Sequence, residues 1–215
     1  MGPDETELPR DIASEIRQVA HFGHASDVRD AMLSAATAFE EGRLDEAVEL
    51  LEGAKKHAPR SPSVRELAGL VHYHRGDWRG AARELAAYRR LSGRYDQDPV
   101  YADALRALGR PEKAAEVLAV LPADEVSEEV YQEGLIVRSG ALRDLGRFDE
   151  AVEVLRAGPL EVSEVRPHHL RFWYSFAEAL EGAGLRSQAR QWWDVIYAED
   201  PSFFDVARRR LGVKG

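Results

Sequence analysis

A glycine followed five residues later by an alanine recurs five times in this chain: Gly42/Ala47, Gly76/Ala81, Gly109/Ala114, Gly146/Ala151 and Gly184/Ala189. Successive glycines are 34, 33, 37 and 38 residues apart. A period in this range is that of stacked helical hairpins. The pattern is fullest in Arg143–Leu155 (RDLGRFDEAVEVL) and Glu41–Leu51 (EGRLDEAVELL). The glycine is expected just past the end of a first helix, where the backbone turns left-handed. The alanine is expected on the second helix at its closest approach to the first, where a larger side chain would push the pair apart.

Flanking positions agree. A small residue stands seven before each turn glycine: Ala35, Gly69, Ala102, Ser139 and Ala177. Leu44, Trp78 and Phe148 fill the turn before a second helix, and apolar residues such as Leu51, Leu85, Leu118, Leu155 and Trp193 follow each alanine by about one turn. Pro122 and Gly158-Pro159 should cut two second helices short, because a helix stops near such prolines. The stretches Pro122–Ser127 and Pro159–Pro167 then account for the longer spacings.

These residues resemble the tetratricopeptide repeat. The fullest match is Trp173, Phe176-Ala177, Leu180, Gly184, Ala189, Trp193 and Pro201, with Ala35, Ala38, Gly42, Ala47, Leu51, Ala54 and Pro59 in the first repeat. The resemblance spans about residues 28–211 and implies an all-α fold, a right-handed α-solenoid of stacked antiparallel helix hairpins with N- and C-terminal capping helices. The expected organisation is a tail and lid helix in residues 1–24, then one array over 25–215. Its repeats fall at about 28–61, 62–94, 95–126, 127–164 and 165–200, followed by a cap helix at 201–211. In the lid helix, Ile12, Ile16 and Val19 share one face. In the cap, Phe203, Phe204, Ala207 and Leu211 are expected to pack on the last hairpin, with Arg208–Arg210 pointing outward.

Composition narrows the function. Apolar residues make up 44% and charged residues 31%, an ordinary balance for a chain with a core. The formal charge is −9, which argues against a broad nucleic-acid or anionic-membrane footprint. With no cysteine, disulfides, thiolate metal sites and thiol nucleophiles are excluded. No stretch approaches the roughly 18 apolar residues that span a bilayer. The acidic start, MGPDETELPRD, lacks the apolar core of a signal peptide, so a cytoplasmic location is expected. No Asn is present and Arg far outnumbers Lys, as GC-rich coding gives, and a bacterial origin is expected.

No phosphate loop, dinucleotide fingerprint, zinc-protease helix or nucleophile elbow is present. His21 and His24 are three apart but lack a third ligand, and His72 and His74 point to nearly opposite sides of a helix. The chain is therefore read as not an enzyme and as needing no cofactor or metal. The resemblance implies a concave surface lined by first helices that binds a protein or peptide. Its candidate residues are Arg29, Met32, Ala36 and Phe39; Glu66, Leu70 and Tyr73; Asp103 and Arg106; Ile136, Gly140 and Arg143; and Tyr174, Glu178 and Glu181. Aromatics, arginines and carboxylates together suit recognition of a peptide or helix in a groove. Chaperone-binding relatives use a clamp of Lys, Asn and Arg. With no Asn, and with Met32 and Glu66 at clamp positions, a chaperone tail is not expected. Three alternatives remain: an RNA-associated repeat using Arg89, Arg90, Arg94, Arg106 and Arg208–Arg210, an enzyme or metal-binding regulator using His21/His24 or His72, and self-association through Phe203/Phe204 or the lid helix.

Overall fold

At Gly146 the backbone turns left-handed, with φ at 73°. Gly146 N–H donates to Arg143 O and Arg147 N–H reaches back to Leu142 O, both at 2.9 Å. Carbonyls left open by the ending helix are thereby satisfied. A residue with a Cβ would pay roughly 1–2 kcal/mol for that conformation. The sibling glycines 42, 76, 109 and 184 lie at φ between 70° and 76°. The long return bond recurs at three of them, from Arg43 to Ala38, Asp77 to His72 and Leu185 to Leu180. The repeated glycine is thus a repeated helix stop.

The computed structural model describes residues 8–212. Among these residues the chain forms twelve helices and no strand, an all-α helical repeat. The helices divide into two compact units, one ending at Leu108 and the other beginning at Gly109.

The first unit holds α1 (Arg10–Val19), α2 (Ala25–Glu40), α3 (Leu44–His57), α4 (Pro62–His74), α5 (Trp78–Ser92) and α6 (Asp98–Ala107). Hairpins α2/α3 and α4/α5 pack internally, α3 packs on α4, and α1 lies on α2. Ser61 and Asp77 cap α4 and α5 by accepting from Val64 N–H and Gly80 N–H. The expected crossing is present in detail. Ala47 and Ala81 are fully buried, and a Cβ added at Gly69 would lie 2.5 Å from Leu85 Cδ2 and 3.3 Å from its backbone nitrogen.

The second unit holds α7 (Pro111–Ala119), α8 (Glu128–Asp144), α9 (Phe148–Arg156), α10 (Pro167–Gly182), α11 (Arg186–Glu199) and α12 (Val206–Gly212). Here α8 packs on α7, α9 and α10, while α10 packs on α9 and α11, and α11 carries α12. As expected, α7 and α9 end before their prolines. The second linker folds back onto α10. Trp173 Nε1 donates to Pro159 O at 2.8 Å, and Gly158 sits so close to the Phe172 ring that a Cβ would meet it at 2.1 Å.

The C-terminal segment differs from expectation. Residues 201–205 form turns, and the helix starts only at Val206. Phe204 and Leu211, expected against the hairpin, are 72% and 79% exposed, and Ala207 is exposed too. Val206 alone in α12 is buried. Arg209 does not point outward; it turns onto α10. Seven residues make about two turns, which gives the segment one inward apolar position rather than a stripe.

Candidate functional site

In the first unit the residues expected on one face come from α2, α4 and α6, and several meet. Tyr73 Oη donates to Asp103 Oδ2 at 2.6 Å, and Arg106 Nη1 donates to Asp103 Oδ1 at 3.0 Å. Asp103 on α6 thus ties α4 to its own helix. One end of α4 is tied similarly, as Gln97 Nε2 donates to Glu66 Oε1 at 2.8 Å. Burial first, and nearby carboxylates after it, hold the Glu66 carboxyl above its ordinary value despite that bond. An aromatic run lies alongside. Phe39 meets the exposed His74 edge-on at 5.0 Å, and Tyr73 meets Trp78 at 5.3 Å. Leu70 and Ala36 are half-buried.

Two assignments in this unit need correction or qualification. Met32 is 4% exposed and belongs to the core with Val28, Ala35 and Ala38. Because α1, α3 and α4 all pack on α2, its buried stripe is wider than that of a helix with one neighbour, and Met32 falls inside it. Arg29 is exposed but spends its guanidinium on adjacent Asp30, with Nε at 3.0 Å and Nη2 at 2.8 Å.

In the second unit Arg143 Nη1 on α8 donates to Glu178 Oε2 on α10 at 3.0 Å. The other oxygen of Glu178 accepts from Arg209 Nη2 at 2.8 Å, and Arg209 Nη1 reaches Glu181 Oε2 at 3.0 Å. Tyr174 donates to Asp205. Burial and then that hydrogen bond push the Tyr174 hydroxyl up to about 12. Ile136 is half-buried, whereas Gly140 is buried and offers no surface.

The arginines considered for RNA are mostly spent. Arg89 pairs with Asp98, Arg94 with Asp96, Arg106 with Asp103, Arg208 with Asp205 and Arg210 with Asp194. A cation already facing a carboxylate adds little to a phosphate footprint, so the nucleic-acid alternative is not favoured.

Sequence reading missed one cluster altogether. Fully buried Glu84 on α5 accepts from Lys55 Nζ (2.8 Å), Arg65 Nη1 (2.6 Å) and Arg83 Nε (2.9 Å). Burial alone would raise this carboxyl, yet the three cations bring it down to about 2. Glu52, His72 and Glu84 stand close enough to hold a metal ion. The Lys55 ammonium, however, already lies on Glu52 at 2.5 Å and on Glu84. Arg65 and Arg83 complete the neutralisation of Glu84, and a divalent cation would have to displace Lys55 against them. Burial keeps the His72 imidazole below its ordinary pKa against the opposing charge of Asp77, whose carboxylate lies 2.9 Å from its Nδ1. The cluster therefore fits an internal brace joining α3, α4 and α5. No local spacing announces it, since its members come from three helices. His169 is likewise structural: its Nδ1 accepts from Arg166 N–H at 3.1 Å at the start of α10. His24 stacks on His57 at 4.0 Å and bonds Asp27.

Paired antiparallel helices, a left-handed glycine between them and a small-residue crossing define an α-helical repeat. The tetratricopeptide repeat family model matches residues 32–99 and 138–202, and a second model of the same description matches 100–119. The chain belongs to the tetratricopeptide repeat family, whose members generally serve as non-enzymatic protein-interaction scaffolds. No curated protein sequence matches it significantly. Among solved structures it is similar to a tetratricopeptide repeat protein from Parabacteroides merdae, at 17% identity and a TM-score of 0.70, covering 87% of this chain and 72% of that one. MamA is similar at 17% identity and 0.67, covering 85% and 94%. YrrB, described as having an unusual peptide-binding site, is similar at 18% and 0.64, covering 84% and 90%. At these identities the likeness concerns the fold. No helix among the described residues is long and apolar enough to cross a membrane.

Proposed function

We propose that this protein is a non-catalytic scaffold whose first helices hold a peptide or helical segment of a protein partner. In the first unit the binding residues are Phe39, Glu66, Leu70, Tyr73, Asp103 and Arg106, with Arg29 at the margin. In the second they are Ile136, Arg143, Tyr174 and Glu178. The observation that carries this reading is Asp103 joined to Tyr73 and Arg106. It is a preorganised polar group on half-buried side chains, set beside an aromatic run. Fixed polar groups next to aromatic surface favour binding because little ordering remains to be done. The peptide-binding site described for YrrB makes a peptide the first ligand to test.

The test places a photo-crosslinking phenylalanine analogue in the full chain at Tyr73, at Ile136 or, as a control on a second helix, at Glu153. Crosslinks to a protein partner at the first two positions and not at the control support the reading. Equal crosslinking at all three, or none at Tyr73 and Ile136, overturns it. Crosslinks to a second copy would identify the partner as the chain itself.

A further inference from the structure

We propose that the surface under α12 is a binding site for a short arginine-bearing helix, and that α12 is its detachable resident. This rests on the reading above, since Tyr174 and Glu178 belong to both.

The resident shows what the seat recognises. Val206 is fully buried. Three residues later, on the same side of the helix, Arg209 fans over Glu178 and Glu181 at 2.8 and 3.0 Å. Its guanidinium carbon lies 5.6 Å from the ring centre of Trp193, a cation–π distance. Asp205, just before Val206, accepts from Tyr174. The seat thus comprises an apolar socket, two carboxylates, an indole face and a hydroxyl. Glu178 is also held by Arg143 from the other side, so one wall stays in place whether or not α12 is seated.

The resident is weakly held. One buried apolar residue is little area to set against chain ordering. Its polar contacts are half-exposed, and exposed ion pairs contribute only about 0–1 kcal/mol each. A helix of seven residues has no stability of its own in water. The connection includes Phe204, whose φ of 45° is unfavourable for a residue with a side chain. Phe204 and Leu211 project 72% and 79% exposed and add nothing buried. The occupant that fits the vacated seat is therefore a partner helix with an apolar residue, an arginine three residues later, and an acidic residue just before the apolar one.

The test uses the full chain carrying Val206→Asp or, separately, Arg209→Glu. Both changes lie in α12 and leave the seat intact. The probe is a synthetic peptide of residues 200–212 with the natural sequence and a fluorescent label. Amide exchange should show α12 losing protection in both variants while α10 and α11 keep theirs. The peptide should bind either variant at least about tenfold more tightly than the unsubstituted chain, whose tethered helix competes at high effective concentration. Adding Glu178→Gln to the Val206→Asp chain should weaken peptide binding about tenfold, as should Arg209→Glu in the peptide.

Continued protection of α12 in both variants overturns the proposal. So does a peptide that binds neither variant, or that binds variants and unsubstituted chain alike. Those outcomes leave crosslinking at Tyr73 and Ile136 untouched, so the seat and the wider scaffold reading fail separately.

Discussion

α1 and α12 each lie on the outermost hairpin of their own unit, and they are held by different means. Ile16 of α1 is 1% exposed, and Leu8, Ile12 and Val19 pack against the same core. Glu15 reaches the start of α4, accepting from Ser61 Oγ at 2.5 Å, Ser63 N–H at 3.1 Å and the Ser63 hydroxyl. Immediately after α1, His21 N–H donates to His57 O at 2.8 Å. α12 has one buried side chain and a set of half-exposed charges. An apolar stripe joins the cooperative core and opens only when the core does. A single anchor with polar clamps opens by itself, at a lower free energy.

The largest effect separating the two helices should come from their buried anchors. Ile16→Ala should cost about 3 kcal/mol of global stability in urea unfolding, the usual range for a buried large-to-small change. Val206→Ala should leave global stability within about 0.5 kcal/mol, because destabilising a segment that already opens alone cannot cost more than its local stability. Its effect should appear as lost amide protection in α12. Equal global losses from the two substitutions would break the comparison.

Next in size is Glu15→Ala. It removes a charged acceptor from buried Ser61 and from Ser63, and should cost about 2 kcal/mol. The sharper readout is protection of α1, which should fall toward the level seen for α12. Glu15→Gln, which keeps an acceptor, should recover part of the loss. If α1 stays fully protected in Glu15→Ala, the apolar stripe suffices and the clamp is incidental.

The two helices were unequally legible in the sequence. Ile12, Ile16 and Val19 stand at helical spacing, so the buried face of α1 could be drawn from the residues alone. The turn glycines and crossing alanines were legible for the same reason: each answers a local demand that recurs at a fixed interval. α12 is less legible because FFDVARRRLG is apolar at several registers, and only the turn at residues 201–205 selects Val206. The pairing of Arg209 with Glu178 and Glu181 spans about thirty residues and obeys no local period. The same limit hid the brace of Lys55, Arg65 and Arg83 on Glu84. The burial of Met32 is not legible from local spacing, because the width of a buried stripe depends on how many neighbours a helix has. Among candidate binding residues, cross-helix partners such as Tyr73 with Asp103 became visible only once helix registers were fixed.

A smaller effect should appear with pH, and it isolates the polar half of the α12 attachment. The Tyr174 hydroxyl, then Arg208, holds the Asp205 carboxyl down to about 2. A carboxyl whose folded value lies below its unfolded one stabilises the folded form above the unfolded value. That stability is lost as pH falls through the folded value. Docking of α12 should thus be flat from pH 7 to about 4 and weaken between about 4 and 2, followed through the Val206 methyl signals in NMR. Tyr174→Phe removes the leading cause and brings the docked value nearer the undocked one, so the loss should be smaller and be complete at a higher pH. An unchanged midpoint in Tyr174→Phe would assign the attachment to Val206 with Arg209 and Arg210.

The smallest effect is expected at Phe204, where two terms nearly cancel. Its backbone at φ 45° costs roughly 1–2 kcal/mol relative to a relaxed conformation. Against this stand its ring contacts with Tyr174 at 5.3 Å and Phe203 at 4.6 Å, each worth about 0.5–1.5 kcal/mol when well packed, and less for a ring this exposed. Asparagine tolerates the left-handed region, so Phe204→Asn relieves much of the strain and gives up the contacts. The opening equilibrium of α12, read from amide exchange, should move by less than about 1 kcal/mol, with α1 unchanged. A clear tightening would mean that strain in the connection, more than the small buried area, keeps α12 detachable. A clear loosening would make Phe204 part of the anchor, and the contrast between one apolar contact in α12 and a full stripe in α1 would narrow accordingly.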